Sequence, residues 1–160
     1  VSKLESGAVT ISPLANLTVH KDLFVDMKPF WEKYEQIRPY LITGKPLPVT
    51  GEHPQSQEER VKLDNLIDCI LCSCCQVSCP VTASHENYPG PMAFLNLDRF
   101  LSDSRDGARS ERLAIVNDEQ GVWRCHTVFN CQEACPKDLN PSGAIARIKM
   151  KIVKEKGNPS

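Results

Sequence analysis

The sequence of 160 residues predicts an all-α domain preceded by an extended arm. Three observations carry this. Apolar residues recur at helical spacing in five stretches, each with a start or stop signal beside it. Strand-forming runs are confined to the first 20 residues. Two cysteine-rich runs lie 56 positions apart, so the helical part reads as a pseudo-repeat in which each run is a loop feeding a helix.

Residues 1–20 carry Ala8-Val9-Thr10-Ile11 and Leu17-Thr18-Val19-His20, rich in β-branched side chains and without helical period. An isolated strand is marginal alone, so the arm is expected to pair with something outside this chain. From Asp26, a candidate N-cap, Phe30, Tyr34 and Ile37 fall on one helical face, Pro29 is tolerable in the first turn, and Pro39 is a stop. Thr43 to Gly51, rich in glycine and proline, reads as a linker. Residues 1–55 thus form arm, short helix and linker, and residues 56–160 the domain with both cysteine runs.

Ser56-Gln57-Glu58-Glu59 is a capping box that opens a helix running through Val61 and Leu63 toward the first cysteine. Pro91 at a first turn, followed by Met92, Leu95, Phe100 and Leu101, predicts the next helix, ended by the polar run Asp103 to Asp106. A short helix follows over Arg109 to Val116, and Glu119-Gln120-Gly121 turns the chain into Trp123. Asn140 caps and Pro141 starts a last helix with Ile145, Ile148 and Ile152 on one face.

Nineteen basic and twenty acidic residues leave a net charge of -1, which offers no electrostatic footprint for nucleic acid. No apolar run approaches the roughly 18 residues of a membrane span. At 41% hydrophobic and 6% aromatic residues, the core is modest, and bound metal is expected to add folding free energy. The apo-protein is accordingly expected to fold poorly. Eight cysteines could make four disulfides, but clustered C-x2-C spacings ending in Cys-Pro point to metal ligation in a reducing compartment.

The chemistry follows from spacing. Cys69, Cys72, Cys75, Cys79 and Pro80 form a C-x2-C-x2-C-x3-C-P run, the bacterial-ferredoxin pattern in which the fourth cysteine ligates the other cluster. Shifted by 56 the run becomes Cys125, Val128, Cys131, Cys135 and Pro136, with valine replacing one cysteine. Exchange of fourth ligands assigns Cys69, Cys72, Cys75 and Cys135 to a [4Fe-4S] cluster, and Cys79, Cys125 and Cys131 to a second. A valine cannot bind iron, so the second is expected to be [3Fe-4S]. Cys74 reads as a small buried hydrophobe. The competing reading from another class is a zinc-stabilised interaction module, since four-cysteine zinc sites also use C-x2-C pairs; the paired Cys-Pro endings favour iron–sulfur.

The residues resemble the iron–sulfur subunit of succinate dehydrogenase, the family of respiratory complex II, with fumarate reductase its near relative. The matching stretches are Asp22-Leu23 with Val25-Asp26-Met27, Cys69 to Cys75, Ser102 to Asp106, Arg124 to Thr127, Asn130-Cys131 and Cys135 to Asn140-Pro141. The resemblance implies an α-helical ferredoxin domain relaying electrons from a flavoprotein, which carries FAD and oxidises succinate to fumarate, toward quinone. It also implies membrane-anchor subunits and a peripheral place on the matrix side of the mitochondrial inner membrane or the cytoplasmic face of a bacterial one. The family's [2Fe-2S] domain has no counterpart in this sequence, so a separate chain or a missing segment is expected to supply it.

At the family's quinone pocket, the resemblance carries over to Pro80 and His126, with Val128 where isoleucine is usual. The pocket tryptophan has no counterpart between Val81 and Asn87, and Gly121-Val122-Trp123 looks more like fumarate reductases. The iron–sulfur subunit of fumarate reductase, or of another flavin-linked quinone oxidoreductase, is therefore the alternative. Of the remaining histidines, His20, His53 and His85 read as surface residues. Trp31 and Trp123 read as packing or interface anchors, and Lys149, Lys151, Lys154 and Lys156 as a solvated or lipid-facing helix edge.

Overall fold

Helix α5 (Pro91–Ser102) packs against the long helix α8 (Pro141–Gly157), and this pair forms the centre of the molecule. The computed structural model describes residues 9–49 and 51–157. From Pro91 to Leu101 every residue of α5 except Arg99 is buried, so the helix is enclosed on all sides rather than on one stripe. Ile145, Ile148 and Ile152 of α8 form the expected inward face and share a core with Phe94, Leu97, Leu113, Val116 and Val122. Burying side chains of this size stabilises by about 1.5–3 kcal/mol each. The Asn140 side chain caps α8 by accepting the Gly143 N–H at 2.6 Å.

The remaining elements wrap this pair. Helix α1 (Lys28–Gln36) buries Phe30 and, just past its end, Ile37, which belongs to the same core as α5 and α8. Its N-cap is Met27 rather than Asp26; Asp26 lies one residue earlier and accepts the Lys28 N–H at 2.9 Å. Helix α2 (Gln57–Val61) carries both bonds of the capping box. It stops short of Leu63 because three-residue bonds, Leu63 N–H to Arg60 and Leu66 N–H to Leu63, tighten the chain into turns. Short helices α3 (Cys74–Val77), α4 (Pro80–Ser84) and α7 (Asn130–Glu133) follow the cysteine loops, and α6 (Arg109–Val116) lies where its pattern predicts.

The arm differs from expectation. Strand β1 (Val19–Lys21) pairs antiparallel with β2 (Phe24–Val25) in the same chain, through a turn that holds Asp22 at φ 52°. Val9 to Ile11 is not a strand, and residues 1–8 lie outside the described residues. The linker is also tied down at its start: Thr43 bridges Asp106, and the Gly107 N–H donates to the Ile42 carbonyl at 2.7 Å. Among the described residues no helix is long and apolar enough to cross a membrane.

Candidate metal centres

The 56-residue repeat is visible in the backbone. Leu71 and Ser73 take left-handed conformations at φ 54° and 64°, and so do Thr127 and Phe129 at 58° and 62°. Ser73 and Phe129 are the N-caps of α3 and α7, which pack on each other. Non-glycine residues pay roughly 1–2 kcal/mol for this geometry, and such strain gathers at functional sites. Neither Leu71 to Ser73 nor Thr127 to Phe129 uses its N–H groups in a hydrogen bond among the described residues. Runs of free N–H donors in left-handed turns are the nests that receive iron–sulfur clusters. The two loops are tied together by Ser78 and Asn130, whose side chains bond each other's backbone carbonyls at 3.3 Å.

All eight cysteines are free thiols, and seven line two cavities. Cys69, Cys72, Cys75 and Cys135 surround the first, with Met92, Leu95 and Leu139. Cys79, Cys125 and Cys131 surround the second, with Tyr88, His126 and Val128. The crossing has a local cause. Cys79 is the extended N-cap of α4, at φ -81° and ψ 117°, and Pro80 starts that helix, so the chain leaves the first loop at its fourth cysteine. Cys135, likewise followed by a proline, returns to the first cavity.

Both cavities are small and lined mainly by cysteine and apolar side chains. Among the described residues no three His, Cys, Asp or Glu side chains converge closely enough to hold a single metal ion. Four thiols on one cavity and three on the other are the set that two clusters with exchanged fourth ligands would take.

The electrostatics of the cavities keeps the metal-free thiols protonated. Burial pushes the Cys75 thiol up, and the neighbouring Cys69, Cys131, Cys72 and Cys135 push it further. Cys131 is pushed up to about 11 by burial, then by Cys79 and Cys125. Crowded buried thiols resist ionisation until positive charge arrives, and the thiolate is the ligand form. Two further groups touch ligand-position sulfurs. The buried Asn96 amide donates to Cys69 Sγ at 3.7 Å and to the Met92 carbonyl at 3.0 Å, and the Leu139 N–H donates to Cys135 Sγ at 3.4 Å. Asn96, a polar residue between Leu95 and Leu97 in α5, was the available signal.

The other expected site residues are dispersed. His126 and Val128 lie exposed on the wall of the second cavity, while Pro80 is exposed next to Cys79 and does not line it. Cys74 lines neither cavity, and its thiol donates to the Cys72 carbonyl at 3.8 Å. His85 is not a free surface residue: it pairs with Arg124 and with the Ser84 hydroxyl. Trp31 and Trp123 are each 42% exposed and anchor no core. The lysine edge of α8 turns partly inward. Lys149 donates to the Cys125 carbonyl at 3.2 Å, and Lys151, with Arg147, binds the fully buried Asp98 carboxylate at 2.7 Å. The side chain of Lys156 lies outside the described residues.

Comparison with known proteins agrees with this geometry. A family model described as a 4Fe-4S dicluster domain matches residues 65–139. The chain is 47% identical over 146 residues to the mitochondrial succinate dehydrogenase [ubiquinone] iron–sulfur subunit 1 of Oryza sativa subsp. japonica, covering 90% of this chain and 52% of that protein. It is 48% identical over 148 residues to the mitochondrial subunit 3 of Arabidopsis thaliana, covering 91% and 48%. With the succinate dehydrogenase iron–sulfur subunit of Coxiella burnetii the figures are 41% over 148 residues, covering 92% and 63%. Among solved structures, a chain of the Mycobacterium smegmatis Sdh1 complex in the apo form superposes with a TM-score of 0.80 at 27% identity, covering 92% of this chain and 62% of that one. The chain thus spans about half the length of the plant relatives it matches.

Proposed function

Over nine tenths of its length this chain belongs to the family of succinate dehydrogenase iron–sulfur subunits, and from that premise we propose that it is the electron-transfer part of a succinate:quinone oxidoreductase. The observation that carries the proposal is the division of seven cysteines between two cavities, four in one and three in the other. Cys69, Cys72, Cys75 and Cys135 would hold a [4Fe-4S] cluster, and Cys79, Cys125 and Cys131 a [3Fe-4S] cluster, with Val128 in place of a fourth ligand. Bound there, the clusters supply one-electron centres between a flavin donor and a quinone acceptor.

The chain's own residues do the rest. The α3 and α7 loops hold the two sites side by side. Met92, Leu95 and Leu139 keep water from the first, and the Asn96 amide and Leu139 N–H bias its sulfurs. His126 and Val128, exposed at the second cavity, and Pro80 beside it are where quinone would approach. In this reading residues 56–160 form the cluster-carrying ferredoxin domain, and residues 1–55 its arm, short helix and linker. The partners are an FAD-bearing flavoprotein, a [2Fe-2S] domain on a separate chain or segment, and membrane-anchor subunits, with the assembly peripheral on a mitochondrial or bacterial membrane.

Electron paramagnetic resonance tests the assignment. The oxidised protein is expected to show the signal of a three-iron centre, and reduction to reveal a four-iron centre. A colourless, silent protein containing zinc would reject it.

A further inference from the structure

Tyr88 is fully buried, yet its hydroxyl has no hydrogen-bond partner among the described residues. It lines the three-cysteine cavity with Cys79, Cys125 and Cys131, and Cys125 packs against the core cluster to which Tyr88 belongs. A phenol is an O–H donor at neutral pH. Buried tyrosine hydroxyls normally find a partner, because an unpaired one forfeits its bonds to water.

The ring is fixed where it stands. Phe94 packs on it with centroids 5.5 Å apart, and the Gln76 amide holds the adjoining Pro89 carbonyl at 3.1 Å. Gly90 follows at φ 92°, where a Cβ would strike Gln76. The hydroxyl therefore cannot swing to another partner without disturbing α3 and α5.

We propose that Tyr88 is a positioning residue for the second centre: its hydroxyl donates a hydrogen bond to the Cys125 thiolate when the cavity holds its cluster, and this raises the centre's reduction potential. Hydrogen bonds to cluster sulfurs are among the determinants of potential. Reduction adds negative charge to the cluster and its thiolates, so a fixed donor stabilises the reduced form more than the oxidised one. The first cavity carries amide donors at Cys69 and Cys135 instead, so the hydroxyl biases one centre and not the other. The inference rests on the reading that the second cavity binds an iron–sulfur cluster.

The test is a redox titration of the intact complex, following each centre by paramagnetic resonance in wild type, Tyr88→Phe, and protein with 3-fluorotyrosine placed at position 88. Phenylalanine is expected to weaken one-electron reduction of the second centre about tenfold, which for a one-electron couple is about 59 mV, with the four-cysteine centre unmoved. Fluorotyrosine, a stronger donor of nearly the same shape, should shift the same centre the opposite way. Equal shifts at both centres, or no shift with clusters fully loaded, would overturn the proposal. If the phenylalanine protein fails to load its cluster, the fluorotyrosine titration decides: an upward shift supports the bond and an unchanged potential refutes it. A wild-type complex with no paramagnetic second centre refutes the cluster reading itself, before any substitution is made.

Discussion

Replacing Arg112 by alanine should loosen the first helix from the rest of the molecule. The guanidinium is fully buried and lies over the Phe100 ring, 4.5 Å from its centroid. It binds both oxygens of the buried Asp106 carboxylate, at 3.0 and 2.7 Å, and the carbonyls of Ile37, Arg38 and Tyr40 at 3.0, 2.7 and 2.6 Å. Without it, Asp106 keeps the N–H groups of Ile42 and Ala108 but loses its counter-charge, and three carbonyls lose their donor. Removing one partner of a buried pair costs about 3–5 kcal/mol, a large part of a total that is typically about 5–15 kcal/mol. We expect about 4 kcal/mol, since water entering the gap offsets some of the orphaned carbonyls. The loss is local, so the assay is amide hydrogen exchange in the cluster-loaded protein, comparing α1 with α5. Protection should fall in α1 and persist in α5. Pairing Arg112→Met with Asp106→Leu removes the unpaired charge but leaves the carbonyls of Ile37, Arg38 and Tyr40 and the N–H groups of Ile42 and Ala108 without these partners, so it should not restore wild-type protection. The reasoning fails if Arg112→Ala changes α1 protection by less than about 1 kcal/mol, the scale of an exposed ion pair, or if the double variant is as protected as wild type.

Val128→Cys supplies a thiol at the wall of the second cavity, and the three-iron signal should give way to that of a four-iron cluster; an unchanged signal in a folded variant counts against the ligand assignment. Asp98→Ala removes the buried carboxylate that ties Arg147 and Lys151 of α8 to α5. Denaturation should show a loss of about 1–3 kcal/mol, tempered because Arg147 can turn to water. The Arg105 guanidinium beside Asp103 holds that carboxyl below its usual range. This stability is present above the unfolded value of about 4 and disappears as pH falls through the depressed folded value. The gap between wild type and Asp103→Asn, about 1 kcal/mol at neutral pH for a partly exposed pair, should therefore close in acid, and a gap constant with pH would contradict this. Stripping iron should lower helix content measured by circular dichroism, since cluster binding contributes to folding.

Much of the fold was legible because its signals are local. The capping box at Ser56, the prolines opening α5 and α8, and the bounds of α6 depend on a few neighbouring residues and hold in three dimensions. Where tertiary contacts overrule local preference, the pattern misled. The arm's strand needs only Phe24-Val25 as a partner, a pairing too short to show as a run. Asp98 and Arg112 look like ordinary charged positions on exposed helix faces, yet both are enclosed, because α5 is covered on every side and Arg112 points into the junction with α1.

Spacing alone dictated the division of cysteines proposed for the site, because x2 gaps hold thiols in one loop while a three-residue gap ending in proline sends the fourth elsewhere. Covalent connectivity and backbone sterics suffice for that. Only the tertiary structure decided what surrounds the sulfurs: Asn96 on Cys69, Tyr88 facing the second cavity, and the lysines of α8 turned toward Asp98 and Cys125. Those contacts join residues 20 to 50 or so positions apart, and their geometry is set by how α5 and α8 pack, which no local pattern encodes.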